Sequence, residues 1–194
     1  ALHGRYECPE EHMFFKTTEK IIPTFHKLKY EYDSHQILEP NHKQVNINDT
    51  IKQHYLHDFL DTITETGIDE HRGTAVSADI QLLQTISRRI HFGKMVAEAK
   101  KTQLLKDHPD FHQHPAKQRL DWITYPKKEE EILDRIKSKT DHYLSIRSMS
   151  SLQSETVVDL FRNMIIPLTK QVQLQYLQHL DTSTRDTSAN DTSR

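Results

Sequence analysis

The segment SRRIHFGKMVAEAK places two cations, Arg89 and Lys100, close to hydrophobic residues. They are eleven positions apart, which at about 100° per residue is roughly three helical turns, so both lie along one stripe of a helix. Three apolar residues fall near the same stripe: Leu82, Ile86 and Val96. The pattern predicts that both charges lie on or beside a buried flank. Because an unpaired buried cation is costly, we expect acidic side chains or an anionic ligand to neutralise them.

Two further polar pairs stand at helical spacing. Tyr125 and Glu129 are four positions apart around Pro126, where a helix is predicted to begin, and Thr169 and Gln173 are four apart shortly after Pro167. Residues four apart lie on one helix face. Each pair also has an ordinary structural interpretation, because Glu129 belongs to the charged run KKEEE and the other pair could lie on a solvated surface. Spacing alone predicts a helical protein in which a small-anion pocket is one option.

Bulk properties exclude several classes of function. The 194 residues carry 26 basic and 28 acidic side chains, a net charge of −2, with no basic block that would favour nucleic acid or an anionic membrane surface. No apolar run reaches the roughly 18 to 20 residues that span a bilayer. Cys8 is the only cysteine, which excludes an internal disulfide and indicates a reducing, cytoplasmic location. The 14 histidines are scattered and are expected to be solvated, so no metal site is predicted.

The elements predicted from the pattern are all helices, because Gly is rare and apolar residues recur at helical rather than alternating spacing. We expect a single-domain, all-α helical bundle over residues 1–180. A polar tail, 181–194, repeats Asp-Thr-Ser and is expected to be disordered. Asn46 or Asn48 can cap the second helix, and Pro167 is expected to kink the last. The predicted helices cover 17–26, 51–65 with the capping residue before it, 77–105, 116–123, 126–144 and 154 onwards.

Three stretches of the sequence resemble the eukaryotic, all-helical chorismate mutases of fungi and plants. They are LLQTISRRIHFGKMVAEAK (82–100), ITYPKKEEEILDRI (123–136) and IIPLTKQVQLQYL (165–177). RYECPEEHMFF (5–15) and ILEPNHKQVNINDTIKQHYL (37–56) agree more weakly. The resemblance runs from about Arg5 to Leu180, and it implies a long-helix bundle that binds chorismate and rearranges it to prephenate. That reaction needs no cofactor and no covalent intermediate.

The family's catalytic pattern assigns roles to the residues singled out above. By resemblance, Arg89 grips a substrate carboxylate, a task suited to a bidentate guanidinium. Lys100 donates to the ether oxygen, on which negative charge develops in the transition state. Glu129 accepts a hydrogen bond from the ring hydroxyl, and the Thr169 hydroxyl donates a hydrogen bond to a carboxylate. One dianionic substrate that contacts both cations would explain why they share a stripe.

Three departures from the family pattern affect these assignments. Gln173 stands where fungal and plant members usually have Glu, although bacterial relatives use Gln, and an amide donates at every pH. Tyr125 replaces an Asn of the yeast-like pattern near the hydroxyl. The family also begins with a helix that carries another essential arginine, and only four residues precede Arg5. We therefore expect the sequence to be incomplete at its start; the alternative is a non-catalytic descendant that binds aromatic amino acids or a partner chain.

The resemblance also implies regulation and assembly. Fungal and plant members are homodimers that bind aromatic amino acids between subunits. Arg5, Gly73, Thr74 and Ser77 fall at positions that resemble this effector site, whereas Gly4 stands where a second arginine would be. The ordinary structural alternatives are a turn at Gly73 and a helix N-cap at Ser77. A helical scaffold without any ligand is the third general hypothesis.

Overall fold

The computed structural model describes residues 37–64, 67, 70–147 and 153–189. Every regular element within these ranges is helical, and none of them contains a β-strand. The all-α prediction is therefore confirmed. The predicted short helix 17–26 and Arg5 lie outside the described residues.

The helices, with the turns between them, follow one another in a simple order. They are a 3-10 turn Pro40–Gln44, α1 Asn48–His54, a π-helical turn Tyr55–Phe59, α2 Leu60–Ile63, α3 Arg72–His91, α4 Gly93–Asp107, a 3-10 turn Phe111–Gln113, α5 Ala116–Ile123, α6 Pro126–Arg147, α7 Ser154–Leu160, a π-helical turn Phe161–Ile165 and α8 Ile166–Ala189.

Local sequence signals explain several helix ends. The N-cap of α1 is Ile47, so the prediction that Asn46 or Asn48 caps this helix is wrong; the Asn46 side-chain oxygen instead accepts a hydrogen bond from the Asn48 backbone N–H at 3.0 Å. α5 has the predicted bounds because Pro115 precedes it and Thr124 leaves the helical conformation. α6 begins at Pro126, whose fixed φ and missing N–H suit the first helical position.

The helix predicted over 77–105 is two helices in the structure. α3 begins at Arg72, five residues earlier than predicted, and it ends at His91. Phe92 (φ −59°, ψ −15°) accepts backbone hydrogen bonds from Met95 at 3.1 Å and Val96 at 3.3 Å, which makes this turn tighter than an α-helical one. The break interrupts the helix between Arg89 and Lys100. The calculation at about 100° per residue that placed both residues on one stripe therefore does not apply across it.

The last helical segment also differs from a simple kinked helix. A widened π-helical turn, Phe161–Ile165, joins α7 to α8 without a break, so Pro167 lies inside a continuous helical stretch, two residues after a local departure from the α-helical hydrogen-bond pattern. α8 then continues to Ala189, into the segment 181–194 predicted as a tail. Extending an existing helix adds a hydrogen bond per residue without a new nucleation step, which explains the extension. The division into a domain and a tail stays a prediction.

The hydrophobic core forms around α8. This helix packs against α3, α4 and α5, while α1 packs on α3 and α7 packs on α6. Four side chains of α8 are almost completely buried: Leu168, Val172, Tyr176 and Leu177. α8 and α4, which carry three of the six predicted active-site residues, Lys100, Thr169 and Gln173, thus lie at the centre of the molecule. Within the described ranges no helix combines the length and the apolar character needed to cross a membrane.

Candidate active site

The site begins where α4 crosses α8 at very short range. A Cβ atom built on Gly93 would lie 2.9 Å from the Thr169 carbonyl oxygen and 3.1 Å from Thr169 Cγ2. Only glycine fits so close an approach without movement of a backbone. The Thr169 hydroxyl donates to the Ile165 carbonyl at 2.6 Å, so it would have to rotate before it could donate to a ligand.

Lys100 is a half-buried cation that forms no ion pair with a described carboxylate. Its Nζ lies 4.5 Å from the centroid of the Tyr125 ring, and none of the described carboxylates forms an ion pair with it. Burial lowers the pKa of Lys100 from its usual range, and the nearby charge of Glu129 opposes that shift. A cation–π contact compensates only part of the lost hydration. Lys100 therefore has the electrostatic character of a site for a negatively charged atom.

Glu129 is held by a residue that the sequence analysis missed. Glu129 Oε1 lies 3.0 Å from Lys170 Nζ, and both side chains are mostly buried. Glu129 is therefore oriented from α8 while its charge also acts on Lys100. The sequence could have indicated Lys170 by its position, because it follows Thr169 directly and stands three residues before Gln173 on the same helix.

Gln173 carries a buried and unsatisfied polar atom. Its side chain is 6% exposed, and its Oε1 has no hydrogen-bond partner among the residues that the structure describes. Buried polar atoms without a partner are rare because each one costs the desolvation free energy of that group. A polar group placed at this cost in the centre of the fold is typical of a ligand-binding position.

Arg89 does not lie where the stripe predicts. Its side chain is exposed and makes no hydrogen bond or ion pair with any described residue. Leu82, expected on the same buried stripe, is also 37% exposed, whereas Ile86 is buried. The prediction of a buried flank is thus confirmed for Lys100, which is half-buried, and wrong for Arg89. The buried side of α3 contains Leu83, Ser87 and Ile90, and Arg89 faces away from it. None of the described carboxylates pairs with the guanidinium of Arg89.

A buried polar cluster that the sequence analysis missed lies on the face of α3 opposite Arg89. His91 is 6% exposed; one ring nitrogen lies 2.8 Å from the Ser87 carbonyl, and the other accepts the Ile47 N–H at 3.1 Å. The Ser87 hydroxyl donates to the Asn48 side-chain oxygen at 2.6 Å. Burial lowers the pKa of His91 to about 4, so the ring is neutral near pH 7. The expectation that the histidines are solvated is wrong here.

The candidate effector residues lie at the start of α3. Gly73, Thr74 and Ser77 are exposed, and the Ser77 hydroxyl donates to the Gly73 carbonyl at 2.9 Å inside the helix. Because α3 already begins at Arg72, Gly73 is not in a turn and Ser77 is not an N-cap, so both structural alternatives are wrong. The fourth candidate, Arg5, lies outside the described residues.

The structure thus brings Lys100, Tyr125 and Glu129 to one place and connects them to α8 through Lys170. Thr169 and Gln173 stand on the same helix as Lys170, and no described contact joins Arg89 to this group. A half-buried ammonium, a fixed carboxylate and a buried amide together suit an anionic ligand that also carries a hydroxyl group. Among the described residues no group of His, Cys, Asp or Glu is placed to hold a metal ion.

Comparison with characterised proteins identifies the relatives of this chain. The chain is 32% identical over 192 residues to chorismate mutase 1, chloroplastic, of Petunia hybrida, covering 91% of this chain and 56% of that protein. It is 33% identical to the chorismate mutase of Saccharomyces cerevisiae, covering 89% and 68%. The chain thus spans little more than half the length of the petunia relative and about two thirds of the yeast one.

Solved structures show the same relationship. The chloroplast chorismate mutase of Zea mays superposes with a TM-score of 0.73 at 30% identity, covering 92% of this chain and 70% of that one. A chorismate mutase of Candida albicans, in complex with L-Trp, gives 0.65 at 32% identity, covering 78% and 58%. Residues 71–174, which contain the crossing of α4 and α8 and all six candidate active-site residues, match the family described as Chorismate mutase type II. This chain belongs to the chorismate mutase type II family.

Proposed function

We propose that this protein is an isomerase that rearranges chorismate to prephenate, the step that leads towards phenylalanine and tyrosine. The observation that carries the proposal is Lys100, a half-buried ammonium without a carboxylate partner among the described residues. Chorismate is a dianion whose ether oxygen gains negative charge as its bond breaks, so a preorganised cation at that oxygen lowers the barrier. The rearrangement is intramolecular, and the chain supplies no atom to the product.

Each site residue has a role that its chemistry permits. Lys100 donates to the ether oxygen from one side, and the Gln173 amide donates to it from α8. Glu129, oriented by Lys170 at 3.0 Å, accepts a hydrogen bond from the ring hydroxyl. Arg89 grips a carboxylate with its unoccupied donors. Thr169 and Tyr125 complete the substrate-binding surface.

We also propose that aromatic amino acids act as effectors and that the protein is a homodimer. The Candida albicans relative was crystallised with L-Trp, which supports an aromatic effector. Gly73, Thr74 and Ser77 lie exposed in the first two turns of α3, which a second subunit could cover. Exposed apolar side chains of α3 itself favour such a contact: Val76 and Ile80. Sedimentation with and without tryptophan, tyrosine or phenylalanine tests both points, and a monomer that binds none of them would contradict them.

A cytoplasmic location is a further proposal, supported by the presence of a single cysteine in the sequence. The petunia and maize relatives are named as chloroplast proteins, so imaging of the tagged protein in its own cells would decide between the two compartments. None of the reported relatives favours the non-catalytic alternative.

The test of the proposed reaction compares Lys100→Met and Arg89→Ala with the unaltered chain. We expect each variant to lower kcat/KM for chorismate by about 10² to 10³-fold, since each loses a donor to developing or fixed negative charge. Arg135→Ala, which removes an exposed arginine of α6, is the matched control and should be nearly neutral.

Binding provides a second measurement that does not depend on turnover. Calorimetry with a bicyclic dicarboxylate that mimics the transition state should show binding to the unaltered chain and to Arg135→Ala, and much weaker binding to Lys100→Met. An unaltered chain that forms no prephenate and binds the mimic no better than Lys100→Met would overturn the proposal and favour a helical scaffold.

A further inference from the structure

Four polar residues connect α4 to α8 and to the segment before the first 3-10 turn. The Tyr176 hydroxyl, on a side chain that is 1% exposed, donates to Glu98 Oε2 at 2.5 Å and accepts the Glu39 backbone N–H at 3.2 Å. Lys101 Nζ lies 2.6 Å from Glu39 Oε1 and 3.5 Å from Glu98 Oε1. We call these residues, Glu39, Glu98, Lys101 and Tyr176, the Tyr176 network.

The Tyr176 network and Lys100 lie on opposite flanks of α4. The buried stripe of α4 includes Gly93, Ala97 and Leu104. At about 100° per residue, Lys100 lies roughly 40° to one side of the centre of this stripe. By the same geometry Lys101 and Glu98 lie roughly 60° and 120° to the other side. The ion pair between Glu98 and Lys101 agrees with this shared flank.

From this position the Tyr176 network can restrict the rotation of α4 about its own axis. The contact of Gly93 with Thr169 fixes how closely α4 approaches α8, but one contact near a helix end does not fix the rotation of α4 about its own axis. The Glu98–Tyr176 hydrogen bond, further along both helices, supplies that second constraint. A rotation of about 10° moves a group about 6 Å from the axis by roughly 1 Å. A shift of that size in a catalytic group can cost about 10²-fold in rate.

We propose that Tyr176 is a positioning residue that, through Glu98, fixes the rotation of α4 and thereby holds the Lys100 ammonium over the Tyr125 ring. Its kinetic consequence rests on the proposed mutase function. The structural part of the proposal, the position of the Lys100 side chain, does not rest on that function, because this position can be measured directly. The described hydrogen bonds of the Tyr176 hydroxyl go to Glu98 and Glu39, not to a group assigned to the substrate.

The test uses Tyr176→Phe, which removes the hydroxyl and keeps the ring. Its matched control is Tyr55→Phe, because Tyr55 is also 1% exposed and donates to a carboxylate, that of Asp79, at 2.6 Å, away from α4. In protein labelled with ¹³C-lysine, the Lys100 ε-methylene signal, assigned through Lys100→Arg, should be shifted by the Tyr125 ring current. We expect Tyr176→Phe to move this signal towards that of a solvated lysine, and Tyr55→Phe to leave it in place.

Kinetics and a conservative substitution complete the test. Tyr176→Phe should lower kcat by about 10- to 100-fold with a much smaller change in KM, because a displaced ammonium weakens mainly the transition state. Glu98→Gln keeps an acceptor for the hydroxyl and should retain the Lys100 signal and most of kcat, whereas Glu98→Ala should resemble Tyr176→Phe.

Two results would overturn the positioning role. One is a Lys100 signal that is the same in Tyr176→Phe and in the unaltered chain. The other is an equal displacement in Tyr55→Phe, which would indicate general loosening of the fold. If the unaltered chain forms no prephenate, the proposed function fails, and the Lys100 signal still decides whether Tyr176 positions this side chain.

Discussion

Gln173 offers the most direct link between a single residue and a property of the reaction. A buried amide donates a hydrogen bond whatever the pH, whereas a carboxyl group at the same position donates only when it is protonated. The surroundings of Gln173, which is 6% exposed, would raise the pKa of a carboxyl placed there, because burial disfavours its charged form. The residue type at this position therefore determines over which pH range the ether oxygen receives a second donor.

We expect Gln173→Glu to move the pH optimum of kcat/KM towards acid. Above the pKa of the introduced carboxyl, an anion would face the developing negative charge and the rate should fall by about 10²-fold or more. The measurement is the pH–rate profile of the variant divided by that of the unaltered chain, and Gln53→Glu on the exposed surface of α1 is the control. A ratio that does not change with pH would contradict the assignment of Gln173.

At the scale of helices, the close crossing of α4 and α8 depends on Gly93. We expect Gly93→Ala to lower the free energy of unfolding by about 1 to 3 kcal/mol, because its Cβ would lie 2.9 Å from the Thr169 carbonyl oxygen and the helices must separate. The gain in helix propensity, about 1 kcal/mol, offsets only part of this cost. Urea denaturation measures the change.

Gly73→Ala is the matched control for that experiment. A Cβ on Gly73 would meet no atom within 4 Å, and the residue lies in the first turn of α3. The control should therefore gain up to about 1 kcal/mol from helix propensity alone. Equal stabilisation of both variants would mean that the crossing adjusts without cost.

The helices show how far local signals predict this fold. α5 was predicted within its observed bounds because Pro115 and Pro126 delimit it on either side, and proline acts through local backbone geometry. The break at Phe92 was missed because no proline marks it. Its adjacent glycine is needed for contact with Thr169, which is 76 positions further along the chain (169 − 93). The sequence pattern contains no information on such a distant partner.

The candidate site, like the helices, was predicted only in part. Roles for Lys100, Glu129 and Gln173 could be proposed from the family resemblance, and Lys100 and Gln173 are at least half-buried in the structure. The pairing of Glu129 with Lys170 could not be foreseen from spacing, because it joins α6 to α8. The exposure of Arg89 was not foreseen either, because the buried face of α3 follows Leu83, Ser87 and Ile90 rather than the predicted stripe.

At the scale of the whole molecule, the buried polar cluster under α3 makes the stability of the fold depend on pH. Neutral His91 accepts the Ile47 N–H, so α3 is tied to the residue that precedes α1. Protonation would place a second N–H against that donor and bring a charge into the core near the positive charge of Lys94. Folding therefore favours the neutral ring.

The sign of the effect follows from the two pKa values. The pKa of His91 is about 4 in the folded chain and 6.5 in the unfolded chain, so the contribution to stability is complete above pH 6.5 and is lost as the pH falls from 6.5 towards 4. The difference amounts to about 3 kcal/mol when the loss is complete. Between pH 7.5 and pH 4.5 the unaltered chain should lose about 2 to 3 kcal/mol from this source.

His91→Gln tests this prediction, because an amide can accept from Ile47 and does not titrate. We expect the variant to be less stable at pH 7.5 but to lose about 2 to 3 kcal/mol less than the unaltered chain on acidification, measured by urea denaturation. His57→Gln, at an exposed histidine, should keep the full dependence. Parallel loss of stability in His91→Gln and the unaltered chain would show that His91 protonates in the folded protein as readily as in the unfolded one, and that the buried cluster does not hold its ring neutral.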